Sequence, residues 1–477
     1  MSGRPYRPIL VLLTANWLTM GGSALVTLAG FSWLFLLPIN LRGHVENPYL
    51  GLLVFLAIPI VFFVGLALIP IGIATARRSG KLEVEGVEAR RVAWRRAAVF
   101  FTVMTAINVV IGSQVSYRAV EHMDTKQFCG QSCHIMQPQF TAHGRVSHEK
   151  VECVSCHVTP GAEGWIKAKT AGMRQLMGVL LNNYPRPVPS ALESGRLASS
   201  AETCEQCHAR ETNIGSRLRI IPTFAEDEKN TRSETVLMML VGGGASGGIH
   251  GAHLGSGVEI RYAAVDAKRQ MIPRVEYRNT KTGAARTYFA SGATEETTRS
   301  LAVFGMQCAD CHNRIGHPFD PPGPAIDRAM ASGELATDLP FLKKAGVALV
   351  GGNYDSHEVA SREIPTGLLR YFTQEHPEVL PRGPEIEAAG RALATIYRRN
   401  VFPDAKVNWD TYVDNLGHAN GAGCFRCHDN DHAASAAAGE TRVLAQDCES
   451  CHHALAVQEA APDILKTLGL AAPASER

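Results

Sequence analysis

Long uncharged stretches dominate the first part of the chain. Residues 8–41, 48–76 and 97–117 contain no Asp, Glu, Lys or Arg. A helix needs about 20 residues to cross the hydrocarbon core of a bilayer, and each stretch reaches that length. The pattern therefore predicts three transmembrane helices, over residues 9–39, 49–76 and 97–117.

Two alternatives to this interpretation are weaker. The first stretch is longer than the roughly 7–15 apolar residues of a signal peptide, and no convincing cleavage site follows it. The third stretch also has the composition of a buried core helix. Its position between a basic segment and the cysteine motifs described below favours a membrane helix.

Basic residues between the second and third stretches fix the predicted orientation. Arg4 and Arg7 precede the first stretch, whereas Arg42 is the sole basic residue of segment 40–47. The connection between the second and third stretches carries Arg77, Arg78, Lys81, Arg90, Arg91, Arg95 and Arg96. Because Lys and Arg accumulate in cytoplasmic loops, the N-terminus and this connection are predicted to be cytoplasmic, with everything after the third helix on the other side.

The remainder of the chain shows two further patterns. Residues 258–262 and 274–278 alternate between apolar and polar side chains, which predicts strands of a small β insertion. Residues 335–400 have helical composition, broken by prolines at 377–384. The predicted organisation is a membrane anchor at 1–117, a three-motif module at 118–216, a loop and β insertion at 217–305, a fourth motif with a helical segment at 306–405, and a two-motif module with a tail at 406–477.

All twelve cysteines fall into six short motifs in which a histidine follows the second cysteine. The motifs are Cys129-x3-Cys133-His134, Cys153-x2-Cys156-His157, Cys204-x2-Cys207-His208, Cys308-x2-Cys311-His312, Cys424-x2-Cys427-His428 and Cys448-x2-Cys451-His452. Two thiols at this spacing can form thioether bonds to one haem, and the adjacent histidine can bind its iron. The longer loop of the first motif can still reach both vinyl groups. The sequence therefore predicts six covalently bound haem c groups.

Disulfides and zinc sites are the alternatives for such cysteine pairs. Zinc sites also use Cys-x-x-Cys, but they join two pairs around one ion and do not require a histidine directly after each pair. Six histidines at the same position favour haem.

Haems that only transfer electrons need a second axial ligand besides the motif histidine. The candidates outside the motifs are His148, His317, His418 and His432, followed by His250 and His253. The alternative for each is a surface or hydrogen-bonded histidine. His44, in a short turn outside the membrane, and His376, before a proline, are not expected to bind iron. Met136, two residues after His134, is the candidate for the first haem, with core packing as the alternative.

These residues resemble the NapC/NirT family of membrane-anchored multihaem quinol dehydrogenases, and especially its ImcH-like inner-membrane branch. The matching segments are residues 128–136, 147–153, 184–187, 202–208, 311–317 and 409–432. The Cys-x3-Cys spacing and residues 423–429 carry most of the specificity of the resemblance.

The resemblance implies that the haem nearest the membrane receives electrons from a quinol and that the others relay them outward. It implies that Met136 can bind the first iron and that Lys169 and Arg174 line the quinol pocket. Gln175 stands where an acidic residue is expected. The group that accepts the quinol protons is therefore not assigned.

The sequence predicts a membrane-anchored hexahaem c-type cytochrome, and the resemblance implies that it oxidises quinol at the bacterial inner membrane. The fold is predicted to be mainly α with irregular haem-packed loops: three transmembrane helices and a periplasmic multihaem region with a small β insertion. The expected partners are membrane quinol, the lipid bilayer, periplasmic cytochromes or reductases, and subunits of a membrane complex; no nucleic acid is expected. The alternatives are a relay subunit without its own quinol site and a terminal reductase, which would need an iron with an open axial position.

Overall fold

The computed structural model describes residues 8–40, 56–80, 86–132, 134–208, 215–242, 247–435 and 441–470. Helices form about half of the chain, and the strands of the described residues form two β sheets. The chain divides into two compact units, Met1–Ser132 and Cys133–Arg477. Several predicted features lie outside the described residues, among them Cys133, the side chain of His134, and His44.

The first unit is helical. Its helices are α1 (Ile9–Leu12), α2 (Trp17–Asn40), α3 (Ile58–Arg78) and α4 (Val87–Met123), followed by a π-helical turn at Phe128–Ser132. Helices α2, α3 and α4 are long and apolar enough to cross a membrane. The described residues thus contain three candidate membrane helices in the regions where the sequence predicts them. The start of the second prediction, residues 49–55, lies outside the described part.

The helix predicted over residues 9–39 is interrupted between α1 and α2. The amide of Thr19 donates to Oδ1 of Asn16 at 2.9 Å, and the amide of Asn16 donates to Oγ1 of Thr19 at 3.1 Å. Asn16 therefore caps the N-terminus of α2, because its side chain satisfies an amide that has no partner within the helix.

Helix α4 is longer than predicted at both ends. Its 37 residues correspond to about 55 Å at 1.5 Å per residue, well beyond the roughly 30 Å of the hydrocarbon core. Arg90, Arg91, Arg95 and Arg96 therefore belong to the helix and not to a loop. Arg and Ala are strong helix formers, so nothing in this basic segment ends the helix.

Glycines bring α2 and α3 close together. A Cβ atom at Gly65 would lie 2.8 Å from Cβ of Leu25, and one at Gly72 would lie 2.7 Å from Cγ2 of Thr19. Asn16 Nδ2 donates to the carbonyl oxygen of Gly72 at 2.7 Å. Small residues at the interface and an interhelical hydrogen bond are typical of packed membrane helices.

The second unit combines helices with two antiparallel sheets. Its helices are α5 (Gln137–His143), α6 (Val154–His157), α7 (Ala162–Leu180), α8 (Gly248–Leu254), α9 (Glu295–Thr298), α10 (Cys308–Cys311), α11 (Pro322–Ala331), α12 (Leu342–Val350), α13 (His357–Glu375), α14 (Gly383–Asn400) and α15 (Asp463–Thr467). Its strands are β1 (Arg217–Phe224), β2 (Arg232–Met239), β3 (Val258–Ala264), β4 (Arg274–Asn279), β5 (Ala285–Phe289), β6 (Ala302–Gly305), β7 (Ala433–Ser435), β8 (Thr441–Val443) and β9 (His452–Glu459). Short 3-10 turns lie at His134–Met136, Cys204–Gln206, Pro377–Arg382, Pro403–Ala405, Gly423–Arg426 and Cys448–Ser450.

Helices α11 to α14 enclose the main hydrophobic core. Ile326, Leu342, Leu368, Phe372 and Leu393 are completely buried there. The proline-rich segment between α13 and α14 forms a 3-10 turn because proline cannot continue the hydrogen bonding of an α-helix. The core thus gives the second unit a rigid helical part that does not contain any of the motifs.

The strands form where the alternating pattern predicts them, but they do not make a separate unit. One sheet has the order β1-β2-β9 and the other β6-β3-β4-β5-β7-β8. Phe289 of β5 pairs with Ala433, and Met239 of β2 pairs with His452. Both sheets therefore join residues 217–305 to the last two motifs.

Candidate haem-binding sites

Each of the last five motifs occupies one turn of helix. These turns are α6, α10, and the 3-10 turns Cys204–Gln206, Gly423–Arg426 and Cys448–Ser450. In four of them the amide of the motif histidine donates to the carbonyl of the first cysteine: at 3.0 Å for His157, 2.8 Å for His208, 2.8 Å for His312 and 3.1 Å for His428. Positions i, i+3 and i+4 share one face of a helical turn. Both thiols and the imidazole therefore lie on one side of each turn, as haem attachment requires.

The first motif has a different local structure. Phe128–Ser132 forms a π-helical turn, which has i→i+5 hydrogen bonding. The wider turn matches the extra residue between Cys129 and Cys133 in the sequence. Sequence reasoning allowed for the longer loop but did not predict this turn.

Five motif histidines each face a histidine from outside the motifs. The ring-centroid separations are 6.0 Å for His208 and His148, 6.0 Å for His157 and His317, 6.2 Å for His312 and His250, 5.8 Å for His428 and His253, and 6.2 Å for His452 and His418. Two imidazoles that bind one metal from opposite faces, with metal–nitrogen bonds of about 2 Å, place their ring centroids about 6 Å apart. The residues present therefore fit a haem iron between each pair of rings.

A single helical turn supplies two of these partner rings. His250 and His253 both lie on α8, three residues apart, and face the fourth and fifth motifs. The Nδ1 atom of His253 lies 2.7 Å from the carbonyl oxygen of Ile249. Such a contact orients the ring and leaves its other nitrogen available to a metal.

Burial keeps several of these rings neutral. Burial, together with the neighbouring His157, lowers the pKa of His317 to about 3. Burial also lowers the pKa values of His157, His253 and His312. Neutral imidazole is the form that binds a metal. Among the residues that the structure describes, none forms a hydrogen bond with the buried Nδ1 atom of His317. A bond to this nitrogen would therefore satisfy a buried polar atom.

His432 has a different environment from the other candidates. Its buried ring contacts Asp429 through Nδ1 at 3.0 Å and the carbonyl oxygen of Ile272 through Nε2 at 2.6 Å. Both ring nitrogens are thus in hydrogen bonds, and this geometry does not support the prediction that His432 binds iron. The sequence contained a signal for this hydrogen bond, because Asp429 lies three residues before His432 and its carboxylate can reach the ring.

Successive motifs lie next to each other in the fold. Burial and the thiols of Cys204 and Cys207 raise the pKa of Cys156, so the second and third motifs are neighbours. A hydrogen bond with Cys308 lowers the pKa of Cys204. The first cysteines of the third and fourth motifs are therefore in contact.

The last three motifs continue this arrangement. Burial is the main cause that raises the pKa of Cys311 to about 11, and the nearby thiol of Cys424 is the second. The same two causes, in the same order, raise the pKa of Cys451. Phe425, inside the fifth motif, stacks on His418 with ring centroids 4.5 Å apart, and His418 faces the histidine of the sixth motif. The order of the motifs in space, from the second to the sixth, follows their order in the sequence.

The residues predicted to contact quinol lie on α7. The Nζ atom of Lys169 lies 5.6 Å from the centroid of the Trp165 ring, a cation–π contact. Ile166, Met173 and Met177 are exposed on one face of the helix. By the 3.6-residue repeat, Lys169 and Arg174 flank this face on opposite sides. Met136 ends a 3-10 turn before α5 and is half-buried.

Comparison with known proteins identifies the family. Residues 92–219 match the N-terminal region of the NapC/NirT cytochrome c family. The cytochrome c-type protein ImcH of Geobacter sulfurreducens is 34% identical over 449 residues, which cover 92% of this chain and 87% of that protein. No solved structure matches the chain. The chain belongs to the NapC/NirT cytochrome c family, as a membrane-anchored electron-transfer cytochrome with covalently bound haem c.

Proposed function

We propose that this cytochrome holds six haems, oxidises quinol at the bacterial inner membrane and relays electrons to periplasmic cytochromes or reductases. The observation that carries the proposal is the set of five histidine pairs with ring separations of 5.8–6.2 Å. Haem c, when bound, supplies one-electron transfer at its iron.

The paired histidines favour electron transfer over substrate reduction. In each of the five pairs, one imidazole comes from the motif and one from elsewhere in the chain, so two imidazoles would bind an iron held between them. A terminal reductase needs an open or weakly held position. The five pairs therefore give no support to the reductase alternative.

The order of the motifs supports a relay. Cys204 of the third motif contacts Cys308 of the fourth. The thiols of the second and third, fourth and fifth, and fifth and sixth motifs lie close enough to influence one another's pKa values. Electrons entering at the first motif would leave from the sixth. Cys448 of that motif is exposed, which is where an acceptor protein would need to approach.

Helix α7 supports contact with quinol in the membrane. An exposed apolar face bordered by cationic side chains is typical of a helix at a bilayer surface. Quinol loses two electrons and two protons on oxidation, and Lys169 and Arg174 would hold its oxygen or stabilise the charge left as protons depart. Contact of both side chains with lipid headgroups is the competing role.

The proposed location follows from the distribution of positive charge along the membrane helices. Arg77 and Arg78 end α3, and Arg90, Arg91 and Arg95 lie in the first turns of α4. The positive-inside rule places these arginines in the cytoplasm and the motifs in the periplasm. Protease added to spheroplasts should cut the chain after Tyr117 and spare the segment between α3 and α4; the opposite pattern would contradict this orientation.

Haem content is the first test. A pyridine haemochrome assay, combined with intact mass, should give six haems per chain. Four or fewer haems, or stoichiometric zinc, would contradict the assignment of the motifs.

Reduction by a quinol analogue is the second test. Met136→Ala and Lys169→Ala should slow quinol-driven haem reduction in membranes and leave dithionite reduction unchanged. Lys167→Ala is the matched control, because Lys167 lies on the same helix and pairs with Glu163 at the surface. Equal slowing in the control would indicate headgroup contact. Wild-type protein that no quinol reduces would replace the proposal with the relay-subunit alternative.

A further inference from the structure

A buried carboxylate lies inside the fourth motif. The side chain of Asp310, between Cys308 and Cys311, is 3% exposed, and its Oδ1 accepts a hydrogen bond from Nη1 of Arg269 at 2.9 Å. The Tyr262 hydroxyl donates to the same oxygen. Charged groups are rarely buried unless they are paired, and this ion pair is not among the residues that the motif itself requires.

The same network extends into the fifth motif. Arg426 lies between Cys424 and Cys427 and donates to the backbone oxygens of Asp310 at 2.8 Å and Arg269 at 2.9 Å. Asp310 and Arg426, which lie between the two cysteines of the fourth and fifth motifs, are therefore linked by a hydrogen bond from a charged side chain.

Residues just before the third and fourth motifs continue the network. The Asp310 carboxylate accepts from the amide of Gln307 at 2.7 Å, and the Gln307 side chain accepts from the amide of Ser200 at 2.8 Å. A hydrogen-bonded path thus runs from the segment before the third motif to the fifth motif, parallel to the order of the haem sites.

Charges in this position act strongly on a nearby redox centre. The Arg269 guanidinium is 10% exposed and stacks over the Phe304 ring, with its central carbon 3.8 Å from the ring centroid. Screening by water is weak at such a depth. A buried negative charge stabilises the oxidised iron and a buried positive charge stabilises the reduced one, so the two charges of the pair oppose each other.

We propose that Arg269, Asp310 and Arg426 are positioning residues of the relay: they hold the fourth and fifth attachment turns together, and the balance of the Arg269–Asp310 charges sets the midpoint potential at the fourth haem. This inference rests on the proposed function in one respect, namely that His312 and His428 each hold a haem.

A redox titration of the full-length, haem-loaded protein tests the proposal. Asp310→Asn removes the negative charge with little change of shape and should raise the midpoint potential of one component of the titration. Arg269→Gln should lower it, because the carboxylate is left without its partner. The double variant should return towards the wild-type curve, and Arg269→Lys, which keeps the charge, should stay close to it.

A surface pair provides matched controls. Asp338 and Arg382 form an ion pair at the surface, and neither belongs to a motif. Asp338→Asn and Arg382→Gln should leave every component unchanged. A purely structural role of the network would give shifts of the same sign in both single variants, or shifts no larger than in the controls. Either result would overturn the proposal.

Haem loading is measured first in each variant. If Arg269→Gln does not load its haems, the other two single variants test the proposal. A shifted midpoint potential in Arg269→Lys would overturn it, and so would an unshifted midpoint potential in Asp310→Asn. Haem counting and quinol reduction of the wild type test the proposed function separately. The inference can therefore fail while the wild type remains a six-haem quinol dehydrogenase.

Discussion

Two histidines at similar places after a motif should respond in opposite ways to the same substitution. His317 lies five residues after His312, and His432 lies four residues after His428. The first faces the ring of His157 at 6.0 Å. The second has both nitrogens in hydrogen bonds. We compare His317→Ala with His432→Ala.

The substitution His317→Ala should change the spectrum of one haem. Removing this ring leaves His157 as the remaining imidazole of the pair, so one haem should change from low spin to high spin and the others should not. Haem content should stay constant, because the proposed thioether bonds would come from Cys153 and Cys156 and would not depend on His317.

The substitution His432→Ala should lower the free energy of unfolding. His432→Ala leaves the buried carbonyl of Ile272 without its partner, and an unsatisfied buried group costs about 1–3 kcal/mol of the free energy of unfolding. No iron should change its spin state.

Low-temperature EPR and haem counting measure the first effect, and the denaturant midpoint of the full-length protein in detergent measures the second. A high-spin signal in His432→Ala, together with an unchanged spectrum in His317→Ala, would refute the reasoning from ring geometry.

Three further predictions concern a second pair of histidines, the hydrophobic core and a buried ion pair. His148→Ala should give one high-spin haem in EPR, whereas His143→Ala should give none, because both ring nitrogens of His143 contact backbone carbonyl oxygens at 3.0 Å. Leu393→Ala, at a completely buried position, should lower the free energy of unfolding by about 2–5 kcal/mol without changing the haem spectra. Lys343→Met should leave the Asp327 carboxylate unpaired and lower the free energy of unfolding by about 3–5 kcal/mol; denaturant unfolding should show partial recovery when Asp327→Asn is added.

The features that depend on local sequence could be predicted from it. The absence of charge over about 20 residues predicts a membrane helix without any knowledge of packing. Alternation predicts strands near Val258 and Arg274 in the same way. The attachment motifs are likewise local, because thioether chemistry fixes the spacing of their residues.

Long-range pairing could not be predicted in this way. His317 and His432 have similar positions relative to a motif, and only the fold brings one to His157 and the other to Ile272. The break before α2 depended on the side chain of Asn16, whose capping role was not recognised in a stretch that looked uniformly apolar. The ion pair of Arg269 and Asp310 joins residues that nothing in the sequence connects.

The sequence intervals between the two histidines of each pair overlap along the chain. His148 precedes the second motif but faces the third, His317 follows the fourth motif but faces the second, and His418 precedes the fifth but faces the sixth. A single cut anywhere between residues 148 and 452 therefore separates at least one pair. A fragment ending at residue 216 would keep His157 and lose His317. Residues 148–452 should therefore be expressed as one piece, because any shorter fragment would leave at least one histidine pair incomplete.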